Sequence, residues 1–391
     1  MTATGNKRRA ALGFIVSLGI VSLFADMTYE GAHSAIGPYL QDLGASVFWI
    51  GLISGFGEML AASLRYFSGK LADRTHAYWL ITMLGYSMNV IAVPALALAG
   101  NWKVAAALVI AERTGKALRG PARDVLLSEA TAQVGHGFGF GLHSIMDQTG
   151  AVIGPLVIAA GVMKTHHFGP AFGWLIVPAI GTLLALLSAR LLYPAQGSSA
   201  RTVTQQVLPK VFWTYIAAAG LLACGFIDFT VLAAHFERSQ FFSKEVIPLL
   251  YAGAMAVNGI TALIFGRLFD RFGVSVLVVG ILISILSLPL GFLGGPGAAI
   301  ASVACWATGL GAQDGSLRAG IAQVVSMNKR GSAFGYFNGV WGVLWFLGTA
   351  AMAALYGYSL MALVAFGVIA QLAAAVMFLQ LRAPLAAARR E

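Results

Sequence analysis

Charged side chains are scarce in this chain of 391 residues: only 10% are Asp, Glu, Lys or Arg, whereas 58% are hydrophobic. A soluble protein of this length cannot cover so much apolar surface, so the composition argues against a soluble globular protein and is typical of a polytopic membrane protein. Cysteine is almost absent as well. Cys224 and Cys305 both lie in apolar stretches, and they indicate neither a disulfide framework nor a metal site.

Acidic residues number only 15 against 25 basic ones, which gives a net charge of +10. Such a charge is compatible with nucleic-acid binding, but the basic residues are scattered between apolar stretches, so we expect membrane topology to explain them and no nucleic-acid partner. The start, Lys7-Arg8-Arg9 before an apolar stretch, is similar to a secretory signal. Because that stretch is long and no clear cleavage site follows, we expect a retained first helix.

Apolar stretches of roughly 20 residues are long enough to cross a bilayer as helices. The sequence predicts an all-α membrane protein with twelve spans: 11–38, 47–69, 78–100, 103–125, 137–163, 169–193, 211–237, 246–268, 274–294, 297–322, 332–356 and 359–381. The longest polar stretch, residues 194–210, divides them. We therefore predict an N-terminal six-helix bundle (1–193), a cytoplasmic linker (194–210) and a C-terminal six-helix bundle (211–391).

The placement of Lys and Arg supports an even number of spans. With the N-terminus inside, 17 of the 25 basic residues, among them Arg119 and Arg123, are assigned to the inner face, four to the outer face and four to the spans. The positive-inside rule requires such a bias. Both termini are therefore predicted to be cytoplasmic, and the protein is predicted to reside in the cytoplasmic (inner) membrane.

A repeat relates the two halves. "GKLADR" (69–74) closes the second span and "GRLFDRFG" (266–273) closes the eighth, 197 residues later. A weaker similarity between charged positions 202 residues apart relates Asp26 to Asp228, Glu112 to Asp314 and Lys116 to Arg318. Two bundles of similar design are therefore predicted.

These motifs carry a family resemblance. The Gly-x-Leu-x-Asp-Arg motif between spans 2 and 3, repeated between spans 8 and 9, resembles the signature of the major facilitator superfamily. "GAVIGP" (150–155) resembles the Gly-x-x-x-Gly-Pro motif of the proton-coupled antiporter branches for drug and metabolite efflux, and Arg113 resembles their basic residue on helix 4. The chain departs from those branches at Ile158-Ala159, where a glycine pair often follows, and at "THAYW", where a basic tail is usual.

The resemblance implies the major facilitator fold, with helices 1, 4, 7 and 10 lining a central cavity. It assigns three sets of residues. The proton-coupling and cavity set is Asp26, Glu30, Glu112, Arg113, Lys116, Asp147, Asp228, Asp314 and Arg318. The gating set is Gly69, Asp73, Arg74, Gly266, Asp270 and Arg271, and the helix-5 set is Gly150, Gly154 and Pro155.

The charges inside the spans point to ion coupling. Seven acids face four bases there (Arg65, Arg113, Lys116 and Arg318), which predicts at least three carboxylates without a basic partner. An unpaired carboxylate in a membrane takes up a proton or binds a cation. Asp26, Glu30 and His33 share one helix face. Simple solvation at the outer mouth is the alternative for Glu30 and His33.

Other buried charges have plainer interpretations. His143 and Asp147 are four residues apart and could relay protons, hold a transition metal or merely satisfy each other, which we favour. Glu58 and Arg65 suggest a structural pair. For Arg113, a permanently charged guanidinium in mid-helix, helix adjacency predicts Asp26 or Asp147 as its carboxylate partner.

No nucleotide loop, catalytic triad or metal cluster stands out, so neither an enzyme nor a pump driven by ATP is predicted. We expect a monomeric, lipid-embedded secondary transporter of a small organic solute, without cofactor or bound metal and with the proton as coupling ion. Export by antiport is the first hypothesis. Uptake of an organic ion or metal chelate by symport is the second, and a non-transporting receptor or lipid-handling protein is a third of another class.

Overall fold

A computed structural model describes the backbone of residues 3–131, 133–193, 208–325 and 330–388, and that part of the chain is helical throughout, without a strand. Helices suit this composition because a backbone inside lipid must satisfy its own hydrogen-bonding groups.

The N-terminal half contains eight helices among the described residues. They are α1 (Ala3–His33), α2 (Ile36–Asp42), α3 (Val47–Thr75), α4 (Tyr78–Ala95), α5 (Trp102–Thr131), α6 (His136–Thr165), α7 (Phe168–Trp174) and α8 (Ile176–Leu192). The C-terminal half contains nine in its described part. They are α9 (Lys210–Gly225), α10 (Phe229–Arg238), α11 (Val246–Phe272), α12 (Val274–Ile285), α13 (Ser287–Phe292), α14 (Pro296–Val324), α15 (Arg330–Tyr358), α16 (Leu360–Gln380) and α17 (Arg382–Ala388).

Each predicted span coincides with one helix or with two helices joined by a short break. In the described residues, ten segments are long and apolar enough to cross a membrane. The spans predicted at 103–125 and 297–322 are not among these ten, although α5 and α14 have 30 and 29 residues. Both helices carry several polar side chains, which lowers their hydropathy while leaving their length sufficient for crossing.

Two compact units make up the chain. The first comprises Met1–Leu43, Leu64–Ala200 and Lys244–Ala252, and the second comprises Gly44–Ser63, Arg201–Ser243 and Gly253–Glu391. The bounds predicted from sequence, 1–193 and 211–391, thus differ by two exchanged segments, one from α3 and one from the start of α11. Most of the predicted linker, residues 194–207, lies outside the described residues.

In the first unit, α1 and α6 pack backbone against backbone. A Cβ atom on Gly150 would collide with the carbonyl oxygen of Leu23, and one on Gly154 with that of Met27. Only glycine allows so close an approach of two helices. The predicted Gly-x-x-x-Gly-Pro motif, with Pro155 inside α6, therefore faces the helix that carries Asp26 and Glu30.

In the second unit, α9 and α10 are separated by a break at residues 226–228. Two side chains from other helices bind the carbonyl groups freed there. Gln371 Nε2 donates to Gly225 O at 2.9 Å, and Trp306 Nε1 donates to Ile227 O at 2.8 Å. Both carbonyl groups are therefore hydrogen-bonded within the protein, as unwound backbone inside a membrane protein requires.

Candidate functional site

Four basic side chains lie on one face of α5 in the first unit, and we call Arg113, Lys116, Arg119 and Arg123 the basic face. Steps of three, three and four residues keep the four side chains within roughly a third of the helix circumference. The side chains of Arg113 and Arg119 are only 2% and 3% exposed. Lys116 and Arg123 are half-buried. Because buried and half-buried cations are rare on one helix of a membrane protein, this face is the candidate site.

The sequence counted Arg119 and Arg123 toward the inner face, and which side of the membrane their end of α5 faces stays a prediction. Both lie within α5, which continues to Thr131, and Arg119 is buried. One of the seven acids, Asp26, lies beside Arg119, which was not among the four bases counted inside the spans. Residue spacing along 113–123 was the signal that could have found both side chains.

Asp26 of α1 contacts Arg119 of the basic face. Its Oδ1 atom lies 3.6 Å from Nη2 of Arg119, and the Asp26 side chain is 18% exposed. This separation exceeds the 2.7–2.9 Å of a tight charge-assisted hydrogen bond. The guanidinium also lies over the ring of Tyr86 on α4, 4.2 Å from its centroid. The result is a loose ion pair between a partly exposed acid and a buried guanidinium.

Arg113 has different neighbours from those predicted. Its Nε lies 3.6 Å from Glu112 Oε2, and its Nη2 lies 2.9 Å from His33 Nδ1. The guanidinium beside Asp26 belongs to Arg119, so the predicted pairing of Arg113 with that carboxylate is corrected. Because a guanidinium has no acceptor, His33 Nδ1 must accept the hydrogen bond from Arg113.

Tyr29 of α1 supports two cations of the basic face. Lys116 Nζ lies 3.2 Å from its ring centroid, and the Arg113 guanidinium carbon lies 4.8 Å from it. Such cation–π contacts are worth more where water is excluded. Glu112 is held from the other side by Asn89 of α4, whose Nδ2 donates to Oε1 at 2.6 Å. Neither Tyr29 nor Asn89 was recognised in the sequence, since neither belongs to a charge motif.

Ser22 of α1 connects Arg123 of the basic face with Tyr86 on α4 and His143 on α6. Its hydroxyl lies 3.2 Å from His143 Nε2 and 3.3 Å from the Tyr86 hydroxyl, and it accepts from Arg123 Nη1 at 3.2 Å. His143 in turn lies 3.7 Å from Asp147. The pair predicted on α6 is thus part of the same cluster as Asp26, and the charge of Asp147 acts on the Asp26 carboxyl.

Glu30, one turn beyond Asp26, accepts a hydrogen bond of 2.7 Å from the Tyr251 hydroxyl. Tyr251 also packs against the His33 ring at a centroid distance of 5.6 Å. Glu30 is half-buried and is therefore more than a solvated surface acid. It lies outside the direct contacts of Asp26 with the basic face.

Asp228, in the second unit, begins α10 as its N-cap residue. Its Oδ1 accepts from the backbone N–H of Thr230 at 2.8 Å, and its Oδ2 accepts from the Ser54 hydroxyl at 2.9 Å. These two donors stabilise the ionised form of a carboxylate that is almost fully buried. The geometry gives Asp228 a structural function at the break in addition to the cavity position expected from the repeat.

We expect Asp228→Ala to destabilise the protein by about 0.5–2 kcal/mol, because the cap is lost and α10 begins with unsatisfied N–H groups. Asp228→Asn keeps an acceptor oxygen and should lose distinctly less. Thermal melting of the purified protein in detergent measures both variants. Equal melting temperatures for Asp228→Ala and the wild type would remove the capping function.

Asp314 and Arg318 of α14 are both exposed, unlike their predicted counterparts on α5. Asp314 accepts from Asn258 Nδ2 at 3.3 Å. The weak repeat at a spacing of 202 therefore relates sequence positions whose surroundings differ.

The two copies of the gating motif occupy similar places in their units. Gly69 of α3 faces Pro121 of α5, beside a hydrogen bond of 2.6 Å from Ser68 to Leu118 O. Gly266 of α11 faces Gly315 of α14. Arg74, Asp270 and Arg271 are exposed, and the Asp73 side chain lies outside the described residues. The gating function stays a prediction.

Glu58 and Arg65, predicted to form a structural pair, are both half-buried on α3. The remaining prediction concerns a metal site. Among the described residues no group of three or more His, Cys, Asp or Glu side chains is placed to hold a metal ion.

Comparisons with known proteins assign the class. The family model of the Major Facilitator Superfamily matches residues 18–349, and the chain belongs to this superfamily of transporters, not of enzymes. The prediction of an all-helical membrane protein with this fold is confirmed. The chain is a multi-pass integral membrane protein that transports a small-molecule solute.

Individual relatives are similar over most of the chain. An uncharacterized protein of Mycobacterium tuberculosis is 38% identical over 386 residues, which cover 96% of this chain and 94% of the relative. An uncharacterized transporter of Methanocaldococcus jannaschii is 24% identical over 338 residues, covering 83% and 84%. Two solved structures share the fold. The nucleoside transporter NupG superposes with a TM-score of 0.74 at 14% identity (96% and 99% covered), and the peptide transporter POT with 0.75 at 16% (96% and 95%).

Proposed function

We propose that the protein couples the transport of a small organic solute to proton movement, and that Asp26 and Arg119 carry the coupling. The observation that supports this is the loose ion pair of 3.6 Å between a partly exposed acid and a buried guanidinium. Arg119 stays charged at every physiological pH, so the proton can enter or leave only at the acid.

Protonation of Asp26 would change the electrostatics of the whole cluster. The ionised carboxylate neutralises Arg119, whereas the protonated acid leaves a buried cation without a counter-charge. A buried charge that loses its partner is destabilised by several kcal/mol. Proton uptake therefore favours a different arrangement of α1 and α5, which is what alternation between two facing states requires.

Two modes of coupling follow, and each has its own support. Export by antiport is the first, and it is supported by the packing of the Gly150 and Gly154 motif against the helix of Asp26. Proton-coupled uptake of an organic ion is the second, and the basic face favours it. We further propose that both termini lie on the cytoplasmic side of the inner membrane, as the distribution of Lys and Arg predicts.

Solute-induced proton flux in proteoliposomes tests the proposal. A growth screen of deletion and overexpression strains across toxic compounds and nutrients first supplies candidate solutes. With a pH-sensitive dye inside the vesicles, addition of a transported solute should change the internal pH. Symport acidifies the lumen as solute enters, whereas antiport alkalinises it. Solute entry with no pH change would contradict proton coupling.

A further inference from the structure

The basic face holds more positive charge than proton coupling requires. One guanidinium, Arg119, is enough to pair with Asp26, yet Arg113, Lys116 and Arg123 share the same side of α5. Burying each additional cation costs free energy, so each calls for a compensating group.

Carboxylates lie beside three members of the basic face, and Asp26 at 3.6 Å is the one beside Arg119. Glu112 accepts the 2.6 Å hydrogen bond from Asn89 and lies at 3.6 Å from Arg113. Asp124 binds Arg123 at 2.8 Å, but its own side chain is 56% exposed. Asp147 lies beside His143. No carboxylate in the described residues forms a tight, buried pair with Arg119.

Arg119 has hydrogen-bond donors that its neighbours leave unsatisfied. Its Nε and Nη1 atoms are buried and have no hydrogen-bond partner among the described residues. A buried donor without an acceptor is destabilised by about 1–3 kcal/mol, and more when it is charged. The ring of Tyr86 offsets part of this through its π face, but a ring face does not accept several in-plane N–H bonds.

The cluster is also accessible at its rim. The side chains of Asp26, Arg123 and Asp147 are partly exposed, and Lys116 is half-buried. A solute group that enters here meets one ammonium and at least one guanidinium on the same helix face.

We propose that the transported solute is a small organic anion, and that its carboxylate or phosphate group binds the basic face between Lys116 and Arg119. Guanidinium groups bind such oxygens in a planar, bidentate manner, and the lysine adds a point charge. The inference rests on the proposed transport function and names the solute class for that same cluster. It also favours the uptake mode, because ionised Asp26 and an anion compete for Arg119, whereas protonated Asp26 leaves Arg119 to the anion.

Proton and anion then bind to the same form of the protein. The titratable and charged groups that surround Asp26 belong to three packed helices: Tyr86 on α4, Lys116, Arg119 and Arg123 on α5, and His143 and Asp147 on α6.

Anion-dependent thermal stabilisation of the full-length protein in detergent tests the inference without a proton gradient. The probes are succinate, benzoate and inorganic phosphate, compared with uncharged succinamide and with sodium chloride at equal ionic strength. At least one anion should raise the melting temperature of the wild type saturably, by about 2–4 °C at tenfold excess over its dissociation constant. Succinate or benzoate alone indicates a carboxylate solute, and phosphate alone indicates a phosphorylated one.

Variants of α5 decide whether the effect belongs to the basic face. Lys116→Gln and Arg119→Gln should abolish the shift, Arg119→Lys should retain part of it, and Lys103→Gln, at the far exposed end of α5, should leave it unchanged. Asp26→Asn should retain the shift. The inference is overturned if no probe anion stabilises the wild type more than Lys116→Gln, or if succinamide acts equally. Anion binding without solute-induced proton flux would instead contradict the proposed coupling alone.

Discussion

Asp26→Asn should leave the protein folded and able to exchange solute, but unable to accumulate it against a pH gradient. One pH unit corresponds to about 1.4 kcal/mol, so the wild type with one coupled proton accumulates solute up to about tenfold at that gradient. The amide cannot release or bind the proton at this position. Accumulation by the variant should therefore fall to about onefold, while counterflow of labelled solute without a gradient persists.

The measurement is uptake into proteoliposomes with and without an imposed gradient of one pH unit. Asp42→Asn is a matched control. Asp42 is the last residue of α2, pairs with Lys244 and is not part of the cluster around Asp26. The control should accumulate solute like the wild type. Full gradient-driven accumulation by Asp26→Asn would transfer the coupling function to Asp147 or Glu112.

Gly154→Ala should destabilise the protein by about 1–3 kcal/mol, although alanine is the better helix former. A methyl group there would collide with Met27 O and would lie 2.8 Å from Gly31 N, both on the backbone of α1. A backbone cannot turn aside as a flexible side chain does. α1 must therefore move away from α6, which also displaces Asp26 from the basic face.

Gly141→Ala on the same helix is the matched control. Nothing lies within 4 Å of a Cβ atom at that position, so the substitution should be neutral or should stabilise the helix by roughly 0.5–1 kcal/mol. Melting temperatures of the two variants in one detergent are thus expected to shift in opposite directions. Gly154→Ala with the stability and transport rate of the wild type would show that the close contact between α1 and α6 is dispensable.

Much of the fold could be predicted from local composition. The twelve apolar stretches coincide with the helices, because the free energy of placing a segment in lipid is nearly a sum over its own residues. Even α5 and α14, whose polar side chains lower their hydropathy, coincide with predicted spans. Breaks such as the one at 226–228 were not predicted. No proline marks this break, and the side chains that bind its carbonyl groups, Trp306 and Gln371, lie far away in the sequence.

The candidate site was predicted in its acids more completely than in its bases. Asp26, Glu112 and Arg113 stood out because charges are rare in apolar stretches. Arg119 did not, since a base near the end of a span is normally counted as a loop residue that determines topology. Only the length of α5, which continues to Thr131, places that side chain inside the bundle.

Residue type and spacing along the chain are sufficient to predict a helical membrane transporter and the helices that carry its charges. Which charged side chains contact each other depends on how the helices pack. Asp26 contacts Arg119 because Gly150 and Gly154 bring α6 close against α1, and because the rotation of α5 turns its basic residues toward Tyr29 and Tyr86. An ion pair depends on distances of a few ångströms between helices, and those distances are determined by packing across the whole bundle.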